Sequence, residues 1–232
     1  PVPPALPGRV ERAPAAAGGV TWPRLPLGVA AAGTSTRETT VDLSASPLLV
    51  VAGPPGSGRT TALQALADGA LAAGATVLLV HDGDVPDAWA ACLGRGLRCT
   101  SAATAGSSIA AAAGSRAPCV VVVDDLDLAG PAAEQALTAA VAGPAAPAVV
   151  AAATTAWLAG SFRGLAAEAR RRGDGLLLRP GRHDGRDVLG VAVPGQESRL
   201  PGRGVLVRAG MVTRVQVGRV TGGGTDVSGR AA

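Results

Sequence analysis

Short apolar runs without polar alternation recur along this chain and are separated by alanine-rich stretches of helical length. Such runs are typical of strands buried on both faces of a sheet, because a strand with one solvent-exposed face alternates polar and apolar residues. Parallel strands need long crossovers, which the alanine-rich stretches supply. The predicted fold class is therefore α/β, a doubly wound, mainly parallel sheet with helices on both faces. The predicted strands are 48–52, 76–81, 119–123, 148–153 and 175–178, and the predicted helical stretches are 60–73, 131–141 and 157–172.

The two ends of the chain differ from its middle in composition and in the spacing of apolar residues. Residues 1–25 are rich in Pro, Ala and Gly without clear periodicity, which predicts a linker or a loosely held lead-in. Beyond the last parallel strand, 204–208 and 211–217 indicate a C-terminal β-hairpin. We therefore expect one domain over residues 26–220 and a flexible tail at 221–232.

One segment, Gly-Pro-Pro-Gly-Ser-Gly-Arg-Thr at 53–60, lies between a valine-rich strand and a predicted helix. Its spacing is that of a P-loop, with Arg59 in place of the usual Lys. Gly56 and Gly58 allow the backbone to curl so that successive N–H groups point inward, and the following helix adds its positive end. A triphosphate is predicted to bind here; an ordinary Gly- and Pro-rich turn is the alternative. The predicted nucleotide-binding residues are Gly53, Pro54, Pro55, Gly56, Ser57, Gly58, Arg59, Thr60 and Thr61.

Two carboxylates follow the apolar strand 119–123. Asp124 is expected beside the phosphate loop, where it and the Thr60 hydroxyl would hold Mg²⁺, the carboxylate usually through water. Asp125 stands where many P-loop ATPases keep a Glu that polarises the attacking water, so it is a candidate catalytic residue. The alternative is a solvated Asp-rich turn that also contains Asp127.

Two threonines, Thr154 and Thr155, follow the strand 148–153. A polar residue there can hydrogen-bond a γ-phosphate or its attacking water, which makes Thr155 the second candidate catalytic residue. An ordinary strand-end cap explains the threonines nearly as well. Farther on, Arg163 and Arg170–Arg172 suit the negative end of a helix dipole, and the alternative is an arginine finger that completes a neighbour's site.

Two departures from the usual pattern put hydrolysis in question. Arg59 keeps the positive charge but presents a planar group in a slot suited to a compact ammonium. Asp125 is one methylene shorter than Glu, and a misplacement of about 1 Å can lower a rate on the order of a hundredfold. Backbone amides supply many of the contacts with phosphate. Nucleotide binding is therefore expected to be less affected than hydrolysis by these two residues. Whether the chain is an active ATPase stays open.

Composition and charge narrow the class of protein. The mean hydropathy is +0.31, but the apolar stretches are interrupted by Gly, Pro and charge, so no membrane span is predicted. Residues 1–150 contain eight Arg and 11 acidic residues, whereas residues 151–232 contain 13 Arg and six acidic residues. The basic region 151–232 can bind a polyanion or a neighbouring subunit, or it can be an ordinary solvated surface. Three cysteines without paired metal spacing indicate a reducing, cytosolic setting. The start at Pro1 indicates a piece of a longer protein.

The ordered set of motifs resembles the FtsK/SpoIIIE family of P-loop motor domains. The likeness rests on Pro26-Leu27-Gly28, the loop 53–60, the strand ending in Asp124-Asp125, the segment 148–155 and Leu200-Pro201-Gly202-Arg203-Gly204. The last is similar to the Leu-x-Gly-x-Gly stretch before the family's final hairpin. The resemblance implies a RecA-like sheet, ATP and Mg²⁺ as cofactors, and neighbouring ATPase domains or subunits in a ring. It also implies movement of double-stranded DNA, or of a secreted protein as in type VII secretion.

Arg59 and Asp125 depart from the active family pattern and are similar to degenerate tandem domains of secretion-type, actinobacterial members. Two functions therefore stay open: a motor domain with weak or lost hydrolysis, and a non-hydrolysing regulatory module of a tandem type VII secretion ATPase. A small-molecule kinase ranks last, because no Arg-rich lid is visible. The resemblance implies a cytoplasmic domain of a membrane-associated protein, attached through regions outside this fragment.

Overall fold

A computed structural model describes residues 5–221 except 45, 82, 114–116, 144–145 and 197. The predicted tail therefore lies outside the described residues apart from Thr221. The strands are β1 Glu11–Arg12, β2 Arg24–Ala32, β3 Ser35–Asp42, β4 Leu48–Ala52, β5 Thr76–Val80, β6 Arg98–Thr100, β7 Cys119–Val123, β8 Ala148–Ala153, β9 Gly175–Leu178, β10 Arg203–Arg208, β11 Met211–Val217 and β12 Arg219–Val220. The helices are α1 Arg59–Ala72, α2 Ala90–Leu93, α3 Ala105–Ala113, α4 Gly130–Ala142, α5 Thr155–Gly160, α6 Gly164–Arg172 and α7 Asp184–Leu189, and a short 3₁₀ helix, Asp87–Trp89, precedes α2.

The described strands form one large sheet of ten, in the order β3-β2-β11-β10-β9-β4-β8-β7-β5-β6, and β1 pairs separately with β12. From β9 to β6 the neighbours run parallel. The strands β10, β11, β2 and β3 extend the sheet in antiparallel pairs. The central strands β4, β7 and β8 are buried at every residue, as their unbroken apolar sequences predict. The doubly wound, mainly parallel sheet and the C-terminal hairpin are confirmed.

In the described part of the chain, the hydrophobic core divides between the two faces of the sheet. On one face Leu63 and Leu66 of α1 pack with Leu49 and Val51 of β4. On the other face α3, α4, α5, α6 and α7 cover alternate residues of the same strands, such as Val50. Because the parallel strands run in the same direction, their carboxyl ends lie at one edge of the sheet, between the two layers of helices. The predicted site lies at this edge. No helix within the described ranges is long and apolar enough to cross a bilayer.

The structure differs from the sequence prediction in several elements. The helical stretch predicted over 157–172 is two helices, because the chain is extended at Ser161 and Arg163 and Gly164 opens α6 with φ +57°. That positive φ is readily adopted only by glycine. The hairpin formed by β2 and β3 and the helices α3 and α7 were not predicted, since their sequences lack a clear period.

Residues 1–25 are predicted to be a linker or a loosely held lead-in. The structure packs part of the N-terminal segment, residues 5–23, along α1. Asp68 of α1 is buried, with 2% of its side chain exposed. Its carboxylate accepts hydrogen bonds from the Ala15 backbone N–H (2.9 Å) and from Arg95, and it forms an ion pair with Arg12 (3.1 Å). A buried carboxylate needs such donors. This segment is therefore fixed by charge to the helix that follows the phosphate loop.

We expect Asp68→Ala to lower the free energy of unfolding by about 3 kcal/mol, because it leaves two partly buried guanidinium groups without their partner. Urea denaturation measures the loss. The matched control is Arg24→Ala, which removes the exposed Arg24–Asp42 pair (73% and 39% exposed) and should cost less than about 1 kcal/mol. Equal losses in the two variants would contradict the buried network.

The three cysteines are expected to differ in reactivity. Cys92 and Cys119 are buried and Cys99 is exposed. Burial raises the pKa of each thiol, to about 11 for Cys119, so at pH 8 the buried thiols hold little reactive thiolate. A disulfide-exchange reagent should modify Cys99 first and the other two only in denaturant. The variant Cys99→Ser should lose the fast phase of the reaction with the reagent. Fast reaction of two thiols in the native wild-type protein would contradict the expectation that only Cys99 is reactive.

Candidate nucleotide-binding site

The loop 53–58 connects the buried strand β4 to α1 by a tightly curled backbone. Gly56 and Gly58 have φ +70° and +98°, a region that glycine enters without the steric cost of a Cβ. The Ser57 N–H donates to the Pro54 carbonyl (3.1 Å) and closes the curl. Gly58 is the N-cap residue of α1, so the free N–H groups of the first helical turn lie at the loop. Free N–H groups at the start of a helix favour the binding of an anion.

A second segment, the 200–204 turn, packs directly on this loop. The Gly202 N–H donates to the Ser57 carbonyl (2.7 Å), and the Val217 N–H donates to the Gly202 carbonyl (2.8 Å). A Cβ on Gly58 would lie 2.8 Å from Gly202 N, so the two backbones approach this closely only with glycine. The turn that precedes the hairpin thus holds the phosphate loop in place.

Arg203 joins the same turn to the N-terminal segment. It is 7% exposed, and burial lowers the pKa of its guanidinium. Its Nε donates to Gln216 Oε1 (2.9 Å), and its Nη2 donates to the carbonyls of Leu6 (2.9 Å) and Pro7 (2.7 Å). The loop, the hairpin and the N-terminal segment are therefore one connected unit.

Asp124 lies at the carboxyl end of β7, near Thr60 of α1. Burial raises the pKa of this carboxyl, and the neighbouring Asp125 charge adds to the rise, whereas Thr60, Arg59 and Trp89 oppose it. Asp124 Oδ1 is buried and has no hydrogen-bond partner within the described ranges. A buried charge without a partner is costly, and a cation offsets that cost.

Asp124 and Thr60 therefore fit the predicted magnesium ion, which prefers carboxylate, hydroxyl and water oxygens. Among the residues the structure describes, no group of three or more His, Cys, Asp and Glu side chains is placed to hold a metal. Magnesium here would depend on phosphate and water oxygens for its other ligands, as it commonly does at nucleotide sites.

The two residues that depart from the usual pattern bind each other. Arg59 Nη2 lies 2.9 Å from Asp125 Oδ1, and the two side chains are 13% and 47% exposed. Asp125 has φ +57°, a left-handed conformation that Asp adopts more readily than most residues. The positive charge at position 59 is thus directed to a carboxylate of the same chain.

Thr154 and Thr155 have separate places in the structure. Thr154 is the N-cap of α5: its Oγ1 accepts from the Trp157 N–H (3.4 Å), and it forms a hydrogen bond of 3.0 Å with Asp127 Oδ2. The structure therefore supports the alternative role of a strand-end cap for Thr154. Thr155 lines a cavity of about 500 Å³ together with Pro54 and Pro55 of the loop, so its position near the loop is compatible with the predicted role.

The arginines at the end of α6 have structural partners. The Arg170 guanidinium donates to the carbonyls of Leu158, Ser161 and Asp187. Arg171 and Arg172 both pair with Glu168, which is largely buried. These contacts favour the structural alternative over an arginine finger.

The sequence analysis missed two features of the site. A cavity of about 870 Å³ opens beside Thr60 and Thr61 and is bordered by the segment 87–91. Trp89 is fully buried near Asp124. The scarcity of aromatic residues, three Trp and one Phe, is the signal that could have singled it out. Five of the buried side-chain atoms without a partner in the described residues lie in this region: Ser57 Oγ, Arg59 Nη1, Trp89 Nε1, Asp124 Oδ1 and Asp127 Oδ1.

Residues 49–159, which contain the loop, β7 and β8, match the family described as "ATPase family associated with various cellular activities (AAA)". The chain has a P-loop NTPase fold. No curated protein sequence matches it.

Solved structures of this fold are similar to the chain over nearly its whole length. EccC of Thermomonospora curvata, ATPases 2 and 3 in complex with a signal sequence peptide, has a TM-score of 0.71 at 15% identity, over 93% of this chain and 44% of that one. EssC of Geobacillus thermodenitrificans, ATPases 2 and 3, has a TM-score of 0.70 at 17% identity, over 94% and 46%. The conjugation coupling protein TcpA of pCW3, solved with ATPgS, has a TM-score of 0.62 at 14% identity, over 94% and 71%. The chain thus spans less than half of the EccC and EssC chains, and identities this low show the fold alone.

We expect Gly58→Ala to destabilise the fold more than Gly74→Ala does. Both positions have positive φ, but a Cβ at 58 would meet the Gly202 backbone, whereas nothing lies within 4 Å of one at 74. The strain of the φ angle, about 1–2 kcal/mol, is common to both, and the collision should add about 1–3 kcal/mol at 58. Thermal or urea unfolding measures the difference; equal stability of the two variants would contradict the close approach.

Proposed function

We propose that this chain is a nucleotide-binding ATPase module that takes up Mg·ATP at residues 53–61 and hydrolyses it weakly or not at all. The single observation that carries the proposal is the Arg59–Asp125 ion pair beside an otherwise intact phosphate loop. The loop's backbone is shaped for an anion, while the two side chains expected to act on the γ-phosphate and its water bind each other.

Each residue of the site has a proposed part in binding. The backbone N–H groups of the loop and of the first turn of α1 hold phosphate oxygens. Thr60 and Asp124 hold the magnesium ion, and Thr61 borders the cavity next to it. When bound, magnesium neutralises part of the phosphate charge. Thr155, near the loop's prolines, is proposed to contact the γ-phosphate side.

The loss of hydrolysis follows from where Arg59 and Asp125 are directed. Asp125 is proposed as the counterpart of a water-polarising Glu, but its carboxylate accepts the Arg59 guanidinium. Because Asp125 Oδ1 accepts the hydrogen bond from Arg59 Nη2 (2.9 Å), this oxygen is occupied by the guanidinium and is not directed to an attacking water. Binding depends mainly on the backbone and on Mg²⁺, so it is less affected by this pair.

The larger context is proposed from the resemblance to FtsK/SpoIIIE motors and from the likeness of fold to EccC and EssC. We place the chain, with its domain over 26–220, as one copy in a protein with several ATPase domains, acting next to neighbouring domains or subunits of a ring. Its moved substrate is proposed to be a secreted protein, since the similar EccC structure is a complex with a signal sequence peptide and Arg170 and Arg172 are bound within the chain. Such a module would lie in the cytoplasm, with membrane attachment through other regions.

The proposal is tested by measuring binding and phosphate release separately. Titration with a fluorescent ATP analogue and Mg²⁺ should show saturable binding that Thr60→Ala combined with Asp124→Ala abolishes. Phosphate release by the wild type should equal that of this double variant. Replacing the pair together, Arg59→Lys with Asp125→Glu, should raise release at least about tenfold, because it restores a compact ammonium and a longer carboxylate.

Three results bear directly on the proposal. Absence of nucleotide binding at millimolar concentration overturns it. Phosphate release by the wild type well above the Thr60→Ala, Asp124→Ala background supports an active motor instead. Salt-sensitive binding of duplex DNA, without binding of an apolar signal-type peptide, overturns the proposed protein substrate.

A further inference from the structure

Arg179 follows β9, the strand that lies next to β4 and its phosphate loop. The two strands pack tightly at their carboxyl ends. A Cβ on Gly53, the first residue of the loop, would lie 3.0 Å from Leu178 Cβ and 3.1 Å from the Leu178 carbonyl oxygen. Arg179 is the residue after Leu178, so its position beside the loop is fixed by the packing of the strand that precedes it.

The backbone of Arg179 has an unusual conformation. Its φ is +50°, in the left-handed region that side chains other than glycine rarely adopt. Its N–H donates to the Arg203 carbonyl (2.9 Å), and Arg203 belongs to the 200–204 turn that packs on the phosphate loop. Among the described residues other than glycine, only Asp125 and Ala209 share a positive φ. Such conformations persist where the surrounding structure determines them, and they are frequent at ligand sites.

The Arg179 side chain lines the cavity of about 500 Å³ that the loop prolines and Thr155 also border. Its guanidinium makes one hydrogen bond within the described ranges, a long one of 3.3 Å from Nη1 to the Arg199 carbonyl. A guanidinium has five N–H donors, so most of them have no protein partner in these ranges. The planar fork of an arginine binds two oxygens of a phosphate at once. The side chain can therefore bind a phosphate that enters this cavity.

Asp184 is the other charged residue that lines this cavity. Its Oδ2 accepts a hydrogen bond from the Gly181 N–H (2.7 Å). The ion pairs of the described residues include none between Asp184 and Arg179. Arg59, in contrast, pairs with Asp125. Arg179 is thus a cation beside the loop whose charge is not balanced by direct contact with a carboxylate in the described part of the chain.

Two cavities beside the loop differ in size and place. The larger, of about 870 Å³, opens at Thr60 and Thr61 of α1 and has room for a nucleoside. The smaller, which Arg179 lines, lies at the start of the loop, at Pro54 and Pro55. A phosphate chain that runs along the loop from Thr61 toward its first residues would bring its terminal phosphate to the cavity that contains Arg179.

We propose that Arg179 binds the terminal phosphate of a nucleoside triphosphate and so makes the site prefer a triphosphate to a diphosphate. This inference rests on the proposed nucleotide binding. It assigns to Arg179 the positive charge that Arg59 directs to Asp125 instead. A diphosphate lacks the phosphate that would reach Arg179, so the affinity for a diphosphate should not depend on this side chain.

The test measures the affinities for Mg·ATPγS and for Mg·ADP by calorimetry in the wild type and in Arg179→Gln. Because a hydrogen bond to a charged group is lost, Arg179→Gln should bind Mg·ATPγS about tenfold more weakly than the wild type and Mg·ADP equally well. Arg179→Lys keeps the charge without the planar fork, so its affinity for Mg·ATPγS should lie between the two. The matched control is Arg37→Gln, which removes an exposed Arg from the outermost strand β3 and should leave both affinities unchanged.

A second measurement uses the wild type, so it does not depend on the folding of a variant. Phenylglyoxal modifies accessible arginine side chains, and peptide mass spectrometry locates the modified residues. Saturating Mg·ATPγS should suppress the modification of Arg179, whereas saturating Mg·ADP should not. The rate of modification of Arg37 should stay the same with either nucleotide.

The outcomes separate the two proposals. If the wild type binds neither nucleotide, the proposed function and this inference both fall. If Arg179→Gln weakens the binding of both nucleotides by the same factor, as a purely structural residue would, or weakens neither, the role of Arg179 is overturned and the proposed function stands. If Arg179→Gln does not fold, equal modification of Arg179 in Mg·ATPγS and in Mg·ADP overturns the role, and protection by Mg·ATPγS alone supports it.

Discussion

The contact between the Ser57 carbonyl and the Gly202 N–H determines how the rest of the site is arranged. At 2.7 Å it joins two backbones that glycine alone allows to approach so closely. From the turn, Arg203 continues to the N-terminal segment, and from the loop α1 continues to the buried carboxylate of Asp68. Segments distant in sequence are therefore fixed around the loop 53–58.

The Arg59–Asp125 pair shows how two unusual residues can compensate each other. A pair with one half-exposed member contributes at most about 1 kcal/mol to stability, so its main consequence is the direction that it gives to the two side chains. The backbone explains the choice of Asp as well: position 125 has φ +57°, where Asp is tolerated better than Glu. Under the proposed function, the pair is therefore expected to weaken hydrolysis more than nucleotide binding.

Most of the sheet and the outline of the site could be predicted from the sequence, because unbroken apolar runs and the glycine spacing in 53–60 carry strong local signals. The strands β4, β7 and β8 begin and end as predicted. Local patterns did not show the N-terminal segment's contact with Asp68, because a Pro-, Ala- and Gly-rich sequence is fixed there by long-range ion pairs. The direction of the Arg59 side chain toward Asp125 could likewise not be predicted, since it depends on tertiary packing.

The distribution of unpaired polar atoms links stability to function. Buried donors and acceptors without partners each cost about 1–3 kcal/mol, so a fold selected for stability alone would avoid or disperse them. Here five lie at the carboxyl edge of β4, β7 and β8 and on the elements beside it, while the strands themselves are fully buried and apolar. Most of this cost among the described residues therefore lies at the edge where parallel sheets bind their ligands. Because Asp124 and Arg59 are both among these residues, a magnesium-bound phosphate would satisfy opposite charges in one event, which is the physical reason to expect ligand binding to stabilise this chain.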